Sequence, residues 1–160
     1  MTRLSKTQAR KLDILPTRDK KPKPVRVYPV QWDAKIIPGG IWIQVPQIPP
    51  SLNVWMRWHW SKQQRYKQEL TDAIRGLVMA MRLPRYRLAT VQIIYYFSTV
   101  RRRDADNMTP KFVLDALVRG GVLEDDRADW IKLPEPRMEV DKDKPRMEIF
   151  IWGDDDALST

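Results

Sequence analysis

The run Leu88–Val100, LATVQIIYYFSTV, is the most β-branched and aromatic stretch of the chain and reads as its principal strand. It ends directly on Arg101-Arg102-Arg103-Asp104-Ala105-Asp106-Asn107, so this strand carries three arginines and two aspartates to its C-terminal end. A strand that leads straight into a dense cluster of both charge signs needs neighbours that can hold it, and these lie on both sides.

Upstream, Tyr66, Leu70, Ala73, Leu77, Val78 and Met81 recur at helical spacing, which predicts an amphipathic helix over 62–82 that stops before Pro84. Ser61 and Gln64 have the form of a capping box for it, and Met79 and Met81 read as part of its core face. Before that helix, Ile41–Val45 is a strand bounded by glycines and prolines, and PQIPPSLNVW, 46–55, is a proline-enforced loop. Downstream, Thr109-Pro110 starts a second helix, with Asn107 as the other candidate cap. Phe112, Val113, Ala116 and Leu117 are its buried face, and Gly120-Gly121 stop it. Trp130–Leu133 and Arg146–Trp152 supply two more strands. The order β-α-β-α-β-β predicts an α/β domain: a small mixed sheet with two main helices.

The charge is unevenly spread. The chain of 160 residues carries a formal +9, yet residues 1–35 hold ten basic and three acidic residues, a net +7. The remaining 125 hold 19 basic and 17 acidic, a net +2. Residues 1–38 therefore read as a basic, Pro- and Lys-rich flexible extension, 39–152 as the folded domain, and 153–160 (GDDDALST) as a loose acidic tail. The extension is either a solvated leader or an arm that adds phosphate affinity. No cysteine is present, which excludes disulfides and thiolate metal sites. No apolar run reaches membrane-spanning length and the N-terminus lacks a secretory core, so the expectation is a cytoplasmic protein without a membrane partner.

Asp104 and Asp106 face one way if the strand geometry persists through them, and two carboxylates so placed repel unless a cation lies between. Asp125 and Asp126 form a second acidic pair beyond the glycine stop. Should that turn fold back, three or four carboxylates converge, and oxygen ligands without His or Cys favour Mg²⁺ or Mn²⁺. Arg101, Arg102 and Arg103 beside such a site suit an anionic substrate whose phosphate bridges metal and guanidinium. Lys111 would offer a cation at the charge that develops in phosphodiester hydrolysis. The same residues have a plainer reading: Arg–Asp surface pairs, a Lys111–Asp115 pair along the helix, and turn residues at 125–126.

Taken together, RRRDADN…K…LDALVRGGVLEDD and the loop IPPSLNVW, with a helix between them, resemble the RusA-type Holliday-junction resolvases over about residues 41–152. The resemblance implies a homodimeric, Mg²⁺-dependent endodeoxyribonuclease (Mn²⁺ substituting) with a small mixed α/β fold. Such an enzyme resolves four-way DNA junctions by paired symmetric nicks. It puts the metal-binding and catalytic carboxylates on Asp104, Asp106 and Asp126, with Asp125 as the neighbouring candidate, and the catalytic lysine on Lys111. The expected DNA contacts are Ser51, Asn53, Arg101, Arg102, Arg103 and Asn107. Two positions depart from the family pattern. Lys111 follows Asp106 by five residues where the pattern has four, which one residue inserted near Pro110 accounts for. Val54 stands where an arginine often follows the loop asparagine, with Arg57 as its substitute.

In WMRWHW, 55–60, core packing is the expected role of at least two of the three tryptophans, with a base-stacking platform as the other use. His59, the only histidine, reads as hydrogen-bonded or exposed, not as a ligand. Two further function classes stay open: a junction- or duplex-binding protein without cleavage, and a basic nucleic-acid adaptor.

Overall fold

In the computed structural model of the protein, which describes residues 30–154, the principal strand is β3 (Ala89–Phe97). It lies inside a six-stranded, mostly antiparallel open sheet. On one side β3 pairs antiparallel with β6 (Arg146–Gly153), from Ala89 opposite Gly153 to Tyr96 opposite Arg146. Beyond β6 comes β2 (Gly40–Val45), and beyond that β1 (Asp33–Ile37), joined to β2 by a tight turn in which Gly39 takes a positive φ of 73°. On its other side β3 pairs parallel with two short strands, β4 (Ile131–Lys132) along its start and β5 (Arg137–Val140) along its end.

Strict alternation along these strands puts Ile41, Ile43, Val91, Ile93, Tyr95, Ile149 and Ile151 on one face, all essentially without solvent exposure. Each such side chain contributes about 1.5–3 kcal/mol relative to leaving it in water. They share one core with residues of α2 (Trp60–Met81) and α3 (Lys111–Gly120). These two helices run side by side in the same direction. Tyr66 meets Phe112 near their starts, with ring centroids 6.3 Å apart, and Gly120 lies against Ile74 near the other end. Gly121, at φ 93°, ends α3 as the two glycines predict, and its N–H and that of Val122 take up the carbonyls of Val118 and Leu117.

Several expectations need correction. β1 falls within 1–38, so at least 33–37 of the expected extension belong to the sheet; residues 1–29 lie outside the described residues. Its short DAKII run is too polar to announce itself, and pairing with β2 supplies what propensity does not. β5 (RMEV) was missed for the same reason. β3 stops at Phe97, not Val100. The cap of α2 is His59, whose Nδ1 accepts from the Ser61 N–H at 3.3 Å and lies 2.8 Å from its hydroxyl, so Ser61 sits inside the helix. Met79 and Met81 are exposed; the buried face of α2 is Leu70, Thr71 and Ile74. Gly153, assigned to the tail, belongs to β6, and Asp154 pairs with Lys132 at 3.2 Å; residues 155–160 lie outside the described residues. No described helix is long and apolar enough to cross a membrane.

Candidate metal and nucleic-acid site

The proline-rich loop and the charged loop meet at the end of β3. Ser51, inside the proline-enforced loop, caps a single-turn helix α1 (Leu52–Trp55), its hydroxyl accepting from the Val54 N–H at 3.4 Å. The Asn53 N–H in that turn donates to Asn107 Oδ1 at 3.1 Å. Beneath, Trp55 is buried against Phe112, with ring centroids 4.2 Å apart, while Trp58 and Tyr66 close the cluster. Two of the three tryptophans thus pack as expected, and Trp60 does not. This aromatic wedge fixes α1 against the start of α3, which brings Ser51, Asn107, Arg101, Arg102, Arg103 and Asp104 around one hollow of about 330 Å³.

Within the hollow the charges do not neutralise one another. No ion pair joins Arg101, Arg102 or Arg103 to Asp104 or Asp106; the salt bridges among the described residues lie elsewhere. Arg103 is held by its own loop instead. Its guanidinium lies 3.7 Å from the Phe97 ring centroid and donates to the Thr99 carbonyl at 3.0 Å and the Thr99 hydroxyl at 3.2 Å. That leaves Arg101 and Arg102 exposed and available to an anion. Phe97 and Thr99 thus hold Arg103 in place, a role that its neighbours in sequence do not announce. Phe97, the last residue of β3 and two past the buried Tyr95, faces the same side of the sheet, so strand alternation was the signal available for it.

Asp104 is extended (φ −89°, ψ 119°), but a 3₁₀ turn over Ala105–Asn107 follows at once. The carboxylate of Asp104 caps that turn, accepting from the Asp106 N–H at 3.2 Å. The strand geometry therefore does not persist to Asp106, and the link between the two residues is this cap, from the Asp106 backbone to the Asp104 carboxylate, not strand alternation. Lys111 is the first residue of α3; its N–H donates to the Thr109 hydroxyl at 3.3 Å, and the Pro110 carbonyl accepts from the Val113 and Leu114 N–H groups, so Pro110 is the cap and the helix starts one residue later than expected from Thr109-Pro110. Lys111 is exposed and makes no ion pair with Asp115 among the described residues. Arg57 is exposed just beyond α1.

Asp125 and Asp126 are elsewhere. After α3 the chain returns to the start of β3: Leu123 bridges Tyr86, the Glu124 N–H donates to the Tyr86 carbonyl at 2.8 Å, and the Ala89 N–H donates to the Trp130 carbonyl at 3.1 Å. The intervening turn holds Asp126, whose N–H donates to Asp125 Oδ1 at 2.8 Å. Asp104 lies past the other end of β3, and eight strand steps span roughly 26 Å. Among the described residues, no three Asp, Glu, His or Cys side chains are grouped to hold a metal ion. The expected convergence of Asp104, Asp106 and Asp126 is thus not formed within one chain, because the parallel run of α3 carries the late pair away from the early one.

Near Asp126, Arg127 grips Asp129 through two bonds of 3.0 and 2.9 Å, which hold the Asp129 carboxyl below the usual carboxylate range. The turn at 125–129 therefore has a structural use of its own. No protein-family model and no curated protein sequence matches the chain.

Proposed function

We propose that the protein is a structure-selective endodeoxyribonuclease of the RusA-like type, acting as a homodimer on four-way DNA junctions with Mg²⁺ or Mn²⁺. The observation that carries this reading is the hollow at the end of β3. There the Ser51 loop and the Arg101–Asn107 loop are bonded to each other, and Arg101, Arg102 and Arg103 line the hollow beside Asp104 with no ion pair to it among the described residues. Exposed charges left unpaired cost the fold little and stay free for a phosphodiester, whose anion the guanidiniums attract and whose hydrolysis the carboxylates assist. Since one chain keeps Asp126 apart from Asp104 and Asp106, a metal centre using all three requires Asp126 from a second copy, which the proposed homodimer supplies.

The test is a synthetic four-way junction incubated with the protein, with Mg²⁺ or with EDTA, alongside Asp106→Asn. Paired nicks are expected with metal and none with EDTA. The variant should lose roughly 100-fold or more in rate while keeping its junction affinity, because removing a carboxylate lessens repulsion of phosphate. Equal cleavage by both proteins overturns the assignment of Asp106.

The separation of Asp126 from the hollow favours a second reading, a junction- or duplex-binding protein that does not cut. Tight junction binding without nicking at any concentration of Mg²⁺ or Mn²⁺ would establish it in place of the first.

A further inference from the structure

Four apolar side chains, Leu52, Val54, Met56 and Trp60, are exposed within one nine-residue stretch, Met56 by 72% and Trp60 by 68%. The fold does not use the last two: the aromatic cluster that locks α1 to α3 is made by Trp55, Trp58, Tyr66 and Phe112. Met56 lines a second hollow, about 210 Å³, together with Leu52, Trp55 and Phe112, two lysines, Lys67 and Lys111, and one carboxylate, Asp115. Arg57 and Lys62 are exposed along the same stretch, and Lys62 Nζ lies 4.1 Å from the Trp58 ring centroid.

We propose that Met56 and Trp60 form a stacking surface for unpaired nucleobases. The inference rests on the DNA-binding reading above and deepens it by naming what the site selects. A single nucleic-acid strand offers flat apolar faces joined by anions, and an apolar surface edged by lysines and arginine is its complement. α1 and its cap link the two hollows: Ser51 lines the arginine hollow, Leu52 lines the second, and the Asn53 N–H between them is bonded to Asn107. A strand whose phosphates rest on Arg101 and Arg102 would bring bases displaced at a branch point to Met56 and Trp60. Fully paired duplex, with its bases stacked inside, has nothing to offer this surface.

The experiment uses the full chain and measures affinity for labelled oligo(dT) and for a paired duplex of equal length. A Met56→Ser/Trp60→Ala double variant should lose about tenfold on oligo(dT), within the range for removing a base–aromatic stack, and less than about twofold on duplex. Trp60→Phe should retain most of the oligo(dT) affinity, and Arg101→Ala/Arg102→Ala should weaken both ligands. Both side chains are exposed, so melting temperature should not move, and Trp60 fluorescence should be quenched by oligo(dT). Unchanged oligo(dT) affinity in the double variant, or equal losses on both ligands, overturns the inference while leaving the DNA-binding reading intact. A wild type that self-associates through this surface, with the double variant monomeric, overturns it as well. If wild type binds neither oligo(dT), duplex nor junction, the DNA-binding reading itself fails, and the stacking surface falls with it.

Discussion

The Asn53 N–H donates to Asn107 Oδ1 at 3.1 Å across 54 residues of sequence, and this single bond joins the two loops that form the arginine hollow. It is a tether made by a side chain that the sequence resemblance assigns to DNA contact. The two roles separate by substitution. Asn107→Ala removes the acceptor and should cost at most about 1 kcal/mol, since the bond is exposed. Asn107→Asp keeps an acceptor oxygen and should hold stability near wild type while adding a charge that repels phosphate. Urea unfolding combined with junction affinity checks this. If Asn107→Asp binds DNA as well as wild type does, the side chain does not face the ligand.

The two glycines at helix positions predict opposite outcomes. A Cβ on Gly120 would lie 2.6 Å from Ile74 Cγ2, deep in the contact between α2 and α3, so Gly120→Ala should destabilise by about 1–3 kcal/mol. Gly76, exposed on α2, has nothing within 4 Å of such a Cβ, and Gly76→Ala should stabilise by up to about 1 kcal/mol through helix propensity alone. Urea midpoints measure both. Matching shifts in the same direction would mean that the two helices do not pack as described.

Tyr95 is fully buried and its hydroxyl has no hydrogen-bond partner among the described residues. Burial pushes its pKa up to about 12, and for Tyr66 burial and the neighbouring Tyr95 push it higher still. A phenol whose folded pKa is raised favours the folded state fully below its unfolded value near 10, and that preference is lost as pH rises through the folded value. Stability should therefore fall between about pH 10 and 12, with buried phenolate absorbance appearing together with unfolding. Tyr95→Phe removes an unpartnered polar group and its titration. It should leave neutral-pH stability equal or higher by about 1 kcal/mol and make the alkaline fall shallower. A Tyr95 that ionises near 10 without unfolding would contradict its burial.

What could be read in the sequence follows from where hydrophobic patterning decides structure. β3, β2 and β6 alternate or run apolar, and α2 and α3 carry long apolar stripes, so these elements were legible to within a few residues. β1 and β5 were not, because DAKII and RMEV exist as strands only through the neighbours they pair with. At the site, the family resemblance assigns both the Ser51 loop and Arg101–Asn107 to DNA contact, but that they meet through Asn53 and Asn107 is not encoded in local spacing. The position of Asp126 was not legible either. It depends on α3 running parallel to α2 and away from the end of β3, a tertiary choice that local spacing does not encode.

That separation makes a specific prediction for mixed subunits. If cleavage uses Asp104 and Asp106 from one chain and Asp126 from another, a chain carrying Asp104→Asn/Asp106→Asn and a chain carrying Asp126→Asn are each inactive alone. In a heterodimer of the two, one site receives all the damaged side chains and the other receives only intact ones. Co-refolded mixtures should therefore regain nicking, at one strand per junction and at no more than about a quarter of wild-type rate, because half the dimers are mixed and each has one sound site. A site built within one chain gives the reverse result: every site in the mixture is damaged, and nicking stays absent. A label on one of the two chains identifies the mixed dimers, so failure to regain activity in dimers known to be mixed would rule out the shared site. The Asp126 turn would then be left with the structural role that the Arg127–Asp129 pair already gives it.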